Sequence, residues 1–287
     1  MVESLGRVGP GARDWDGAIS TLAKALRPDR EPSLRVSAAK ALSCFPANPA
    51  QFAVLSEYIL DRDPAVRHAV IWAIHDVDYA QGYMVPKALA TALEDPSAQT
   101  RSGAAAAIGH SGLGADPFVP ALVQHALEDP DNEVRAMCRT VIHIMNPPKF
   151  TKASISPLLK GLDSPDSRSH DSICEALGKL GPDAAPAISE LIRLLEDPPK
   201  PEARGFQRSA VFALGRIAPG TPQSDQAVAA VVDFFQRDPP SLMMIDILNT
   251  LARFGPKASA AIALLRALQR DKDVIIREEA AKALSKI

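Results

Sequence analysis

Large rings are scarce in this chain. Aromatic residues make up 5% of its 287 residues, against 46% hydrophobic residues in all. A core of that size with so few rings, built mostly from Ala and Leu, suits closely packed helices. Charge of one sign is also lacking. The formal net charge is -2, which gives no general attraction to nucleic acid or to an anionic membrane. Only three cysteines are present, Cys44, Cys138 and Cys174, and none lies in a C-x-x-C arrangement. That excludes a disulfide framework and leads us to expect a reducing, cytoplasmic setting. No apolar run approaches the roughly 20 residues of a membrane span, and the first thirty residues show no signal peptide. A P-loop, a dinucleotide fingerprint, H-E-x-x-H and G-x-S-x-G are all missing, and none of the six histidines is followed by Glu. We therefore expect no cofactor, no metal and no enzymatic activity.

What the chain does have is a repeat and 25 prolines, which fit short helices joined by many turns. Aligned on Val-Arg-x-x-Ala-x-x-x-Ala-Leu/Ile-Gly, the Arg position falls on Arg35, Arg67, Arg101, Arg135, His170, Gln207, Met244 and Arg277. Six residues earlier stand Asp29, Asp61, Asp95, Asp129, Ser164, Asp238 and Asp271, with the offset broken in the unit around Gln207. Each unit predicts an outer helix A and an inner helix B. The A helices include Ala18 to Leu26, Gln51 to Leu60, Val85 to Leu93, Val119 to Leu127 and Ile188 to Leu195, four of the units placing Pro near the start (Pro86, Pro120, Pro157 and Pro186). The B helices begin beside capping residues such as Asp63, Ser97, Asp131, Asp166, Ser241 and Asp273. Several should stop at Gly, namely Gly109, Gly178, Gly215 and Gly255.

The run Leu60, Asp61, Arg62, Asp63, Pro64, Ala65, Val66 and Arg67, with Ala69, Ala73 and Ile74, carries a resemblance. Leu93, Glu94, Asp95 and Pro96, with Arg101, Ala107, Ile108 and Gly109, repeat it. The pattern resembles the HEAT repeat family in its short, phycobilisome-lyase-like form, and it covers almost the whole chain. The resemblance implies a right-handed α-solenoid of about eight helix pairs, with units near 14–45, 49–79, 83–113, 117–147, 152–182, 186–219, 224–256 and 258–287. It also implies a ladder between neighbouring turns made by Asp61, Arg67, Asp95, Arg101, Asp129 and Arg135. N-capping Asp residues beside solvated Arg residues, with no ladder, is the other reading, and it stays open at this point. Residues 3–12 read like the end of a preceding unit, and the chain ends on a B helix at Ile287 without a polar capping repeat. A fragment of a longer solenoid, or a homo-oligomer joined through its end units, would cover such ends.

Counted from the Arg position as zero, positions −1, +2, +3, +6, +7 and +10 form an apolar or small stripe toward the core. Positions +1, +4, +5 and +8 should line a concave groove. There we expect His68, Trp72 and His75 beside small residues including Ser102, Ala105, Ala106 and Gly109. Arg139, Thr140 and His143 should close the far wall, with Asp171 and Glu175 further along. A Trp on such a face points to an anchor for a bound protein or peptide. The opposing reading is that Trp72 folds over Ala106 and seals the layer. His170, Asp171 and Cys174 could be imagined as a catalytic triad, but no oxyanion site accompanies them. The functional expectation is an interaction scaffold binding a protein or peptide in the groove. The alternative is a modifier on the same repeats, like a phycobilin lyase subunit or an alkylpurine DNA glycosylase. Groove-side Arg139, Arg208 and Lys282 alternate with Asp171, Glu175 and Glu278, with only Trp72 and Phe212 as groove aromatics. That is a weak nucleic-acid signature, so we expect no nucleic-acid partner.

Overall fold

A computed structural model of the chain describes residues 15–45, 49–76, 87–110, 116–145, 151–163, 169–196, 204–237 and 241–287. The expected likeness of residues 3–12 to a unit's end, position 164 of the ladder, the cap at Asp166 and most of the 198–204 connection lie outside these residues. The described residues are helical and contain no strand. They divide into two compact units, Met1–Ile144 and Met145–Ile287.

Among the described residues the first unit holds four helix pairs. They are α1 (Trp15–Leu26) with α2 (Pro32–Ser43), α3 (Pro49–Glu57) with α4 (Pro64–His75), α5 (Ala88–Leu93) with α6 (Ala98–His110), and α7 (Val119–Glu128) with α8 (Asn132–Ile144). The second unit holds α9 (Ile155–Leu162), α10 (His170–Leu180), α11 (Ile188–Glu196), α12 (Arg204–Ile217), α13 (Ser224–Gln236), α14 (Ser241–Phe254), α15 (Ile262–Leu268) and α16 (Val274–Leu284). Within the first unit α2, α4, α6 and α8 stack directly on one another, and within the second α10, α12, α14 and α16 do the same. The first helices of the pairs touch one another less. The B helices are therefore the closely packed layer of each unit.

The starts of the B helices follow from side-chain caps. Asp63 accepts from the Ala65 N–H at 2.9 Å, and Pro64 sits where its missing N–H costs nothing. Asp131 accepts from Glu133 at 2.8 Å, and Asp273 from Ile275 at 2.9 Å. The core stripe follows the expected phase in α4, where Val66, Val70, Ala73 and Ile74 are buried.

Two expectations need correction. Position +4 is covered in most repeats: Ile71, Ala105, Cys174, Val211 and Leu248 are fully buried, while Arg139 is half-buried and Ala281 exposed. A B helix in a stack has neighbours on both sides, so its buried arc is wider than that of a surface helix. Gly255 stops its helix as expected, directly after Phe254, but the other three glycines act differently. α6 runs past Gly109 to His110, α10 past Gly178 to Leu180, and α12 past Gly215 to Ile217. These glycines are contact points. A Cβ on Gly109 would lie 2.9 Å from Val141 Cγ2, on Gly178 3.2 Å from the Ala213 Cα, and on Gly215 2.8 Å from Thr250 Oγ1. The turns that end α10 and α14 use Gly181 and Gly255, at φ of 60° and 59°, where a side chain would be strained.

Gly109→Ala tests this seam. The helix itself gains up to about 1 kcal/mol from Ala, but the methyl meets Val141 and overpacking costs about 1–3 kcal/mol. We expect a net loss in thermal melts, partly restored by Val141→Ala in the same protein. A Gly109→Ala variant as stable as the parent, with no coupling to Val141, would contradict the close approach.

Candidate functional site

The turns of the first unit are tied by one repeated arrangement. Arg101 donates through Nε to Asp129 Oδ2 and through Nη2 to Asp129 Oδ1, both at 2.8 Å. Its Nη1 donates to the carbonyl of its own turn's Asp95, also at 2.8 Å. Arg67 repeats the pattern, with Nη2 on Asp95 Oδ1 at 3.0 Å, Nε 2.7 Å from Oδ2, and Nη1 on the Asp61 carbonyl at 2.8 Å. Arg35 donates to Asp61. This rung lay outside the six residues expected, although the repeat alignment had placed Arg35 at the same position. Each Asp also accepts the N–H two residues on: Asp63 to Asp61, Ser97 to Asp95, and Asp131 to Asp129, at 2.8–2.9 Å. One carboxylate thus shapes its own turn and anchors the previous one. Arg135 is different. It donates to the Asp129 carbonyl and to Asn132 on its own helix, and the position that would continue the ladder is Ser164 in sequence.

The rungs are buried. Arg35 is fully buried, and Arg101 and Asp129 are 8% and 3% exposed. His125 joins the last rung, with Nδ1 2.8 Å from Asp129 Oδ2 and Nε2 3.1 Å from Glu94 Oε1. Burial alone would raise the Asp129 pKa. The Arg101 hydrogen bond, the Asp131 N–H, His125 and the Arg101 charge together outweigh it and hold the carboxyl at about 2, below its ordinary 3.8.

The B-helix face presents a different chemistry. Trp72 is half-buried on α4, with its indole against Gly103 of α6, where a Cβ would lie 3.5 Å from Nε1. His68 and His75 flank it edge-on, at ring distances of 6.1 and 4.8 Å. His75 in turn meets His110 of α6 at 4.0 Å. His110 was not anticipated, because a helix stopping at Gly109 leaves it in the following turn. Of the other expected groove residues, Ser102 is half-buried, while Thr140 and His143 on α8 are exposed. The expected depression beside Trp72 is filled. Ala105 and Ala106 are buried, and Val141 packs into the space above Gly109. Nor does Arg139 form a far wall, since it donates to the Ala126 carbonyl at the end of α7.

Asp171 and Glu175 belong to α10 of the second unit, exposed and half-buried respectively. The Arg position there is held by His170, fully buried with its ring 5.3 Å from Phe206. Cys174 is fully buried and burial pushes its thiol well up, so a nucleophilic triad with His170 has no thiolate to offer. Burial likewise pushes Cys138 up to about 12. Among the described residues no group of three or more His, Cys, Asp and Glu side chains could hold a metal ion, and no helix is long and apolar enough to cross a membrane.

Stacked antiparallel helix pairs joined by capped turns, with the second helices packed face to face, define an all-α solenoid. The chain belongs to the HEAT repeat family: the HEAT repeats profile matches residues 19–109, 61–143 and 119–206, well over half of its length. Among solved structures, an engineered protein is 20% identical, with a TM-score of 0.59 over 94% of this chain and 78% of that one. A structure of the Kap95:Nup1 complex is 14% identical, with a TM-score of 0.63 over 99% of this chain and 43% of that one. A structure of Kap95p binding to RanGDP gives 14% and 0.62, over 99% and 42%. The chain therefore spans less than half the length of the matched chains in those two complexes. At these identities the likeness is one of fold. No curated protein matches the sequence.

The ladder makes two predictions. Breaking a buried pair leaves a charge behind, so Arg101→Ala should cost about 3–5 kcal/mol. A double-mutant cycle with Asp129→Ala should show coupling above the roughly 0–1 kcal/mol of exposed pairs; zero coupling would reduce Asp129 to a turn residue. Because the folded pKa of Asp129 is depressed, its contribution is complete above the unfolded value of 3.8. It is lost as pH falls through 3.8 toward about 2, and amounts to about 2 kcal/mol. Stability measured from pH 5 to pH 2 should fall less steeply in Asp129→Asn than in the parent. Parallel curves would contradict the assignment.

Proposed function

We propose that the chain is a non-enzymatic scaffold that binds a protein or peptide on the B-helix face of its first unit. The observation that carries this reading is the ring row His68, Trp72, His75 and His110, partly open and held on two rigid helices. Half-exposed aromatic side chains on a rigid scaffold lose little conformational freedom when covered, which is why Trp dominates interface energetics. The turn ladder supports the reading, because it holds successive B helices in fixed relation and so pre-organises the face. A similar fold in the Kap95:Nup1 structure gives a precedent for a protein partner. Cys138 and Cys174, free and buried, suit a reducing compartment.

The test is site-specific crosslinking in cells. A photoreactive residue at His68 or Thr140 should give a discrete protein adduct, and one at Thr91, on the A helix α5, should not. Trp72→Ala should abolish the adduct while the protein stays folded. A crosslink to a second copy would identify the partner as the chain itself. Adducts that survive Trp72→Ala, in a protein whose melting temperature has dropped, would mean that Trp72 only seals the layer, and the reading would fail.

A further inference from the structure

His75 and His110 lie on different repeats and 35 positions apart in sequence, yet their rings approach to 4.0 Å at an interplanar angle of 60°. The hydrogen bonds determine which nitrogen carries the proton. His110 Nδ1 lies 3.2 Å from the Ala106 carbonyl, and a carbonyl can only accept, so Nδ1 donates. His75 Nδ1 lies 3.0 Å from Asp76 Oδ1, and there too Nδ1 is the donor. In the neutral rings both Nε2 atoms are then lone-pair donors, and among the described residues neither takes part in a hydrogen bond. Trp72 closes one side of His75, while His110 is exposed to solvent.

We propose that His75 and His110 form an open two-histidine site for a divalent transition-metal ion of the kind imidazole favours, represented by Zn2+. Imidazole nitrogens bind such an ion at about 2.0–2.1 Å, so two of them on one ion stand roughly 3–4 Å apart. Ring centres 4.0 Å apart put the two imidazoles within reach of one ion, and binding would require the rings to swing about 1 Å farther apart with their Nε2 atoms converging. A carboxylate or carbonyl on the other ring nitrogen is the usual outer partner of a metal-bound histidine, and Asp76 and the Ala106 carbonyl occupy those places. With two protein ligands the remaining coordination positions belong to water, which the exposure of His110 permits. The ion would pin α4 to α6 beside Trp72. This site does not rest on the partner-binding reading, although a partner on that face would cover the same two histidines.

The probe is ZnCl2 alone, titrated calorimetrically into the tag-free full chain, with thermal melts run in parallel. One ion per chain should bind with micromolar affinity and raise the melting temperature. His110→Gln should weaken binding at least tenfold, His75→Gln likewise, and Asp76→Asn about tenfold through the outer partner. Cys44→Ser and His143→Gln should leave it unchanged. A Cu2+ electron paramagnetic resonance spectrum should show two nitrogen ligands in the parent and one in His110→Gln. His110 is exposed, so that variant keeps the fold and decides the question even if His75→Gln is unstable. No saturable binding up to millimolar Zn2+, or binding indifferent to His110→Gln, would overturn the proposal.

Discussion

A carboxylate buried in a protein must be paired, and in the first unit that requirement ties each turn to the next. Asp61, Asp95 and Asp129 are 8%, 9% and 3% exposed, too dry to stand alone as anions. Each takes its countercharge from the Arg of the preceding repeat. The Arg is held in turn: Arg67 and Arg101 use Nη1 on their own turn's carbonyl, which leaves Nε and Nη2 aimed at the next repeat. A shift of one helix pair against its neighbour would break charge-assisted bonds and strand ions in a dry site. Such pairs are weak evidence for net stability, but they are costly to displace. Their value lies in holding the stacking geometry.

The second unit meets the same stacking problem with other contacts. Where the first unit has Arg, it has His170 buried edge-on against Phe206, buried Gln207, and Met244. Its seams rely on close approach, with Gly178 against Ala213 and Gly215 against Thr250, whose hydroxyl donates to the Val211 carbonyl at 3.2 Å. Arg277 at the last Arg position keeps half of the ladder geometry, with Nη1 on the Asp271 carbonyl at 2.8 Å. Packing and dispersion tolerate small slides better than bidentate ion pairs do. The first unit has close approaches of the same kind, such as Gly109 against Val141, and adds the ionic rungs to them; the face we assign to binding sits on that doubly held stack.

Much of this was legible in the sequence, because the repeat writes the same local chemistry many times. Four of the five expected A helices end within a residue of where the pattern ends, the one expected to reach Leu60 stops at Glu57, and the caps fall on Asp63, Asp131 and Asp273. What period alone could not show was which neighbour each face meets. Position +4 looks like the outer side of a lone helix but is covered once a second B helix stacks on it, as Ile71 and Leu248 show. Gly109 looks like a stop because Gly often follows a helix, yet its missing side chain is needed by Val141 across the seam. The contact of His75 with His110 was hidden for the same reason. The two stand at +8 and +9 of successive repeats, and only stacking brings unlike positions together.

The account rests on the ladder as the element that fixes repeat stacking in the first unit. Native-state hydrogen exchange tests it most directly, since it reads local opening segment by segment. We expect greater protection in the helices of residues 60–140 than in those of 169–237. We also expect Arg101→Ala to lower protection of α6 and α8 together while leaving the second unit unchanged. Equal or greater protection across 169–237, or a loss in Arg101→Ala confined to the turn around Asp95, would contradict it.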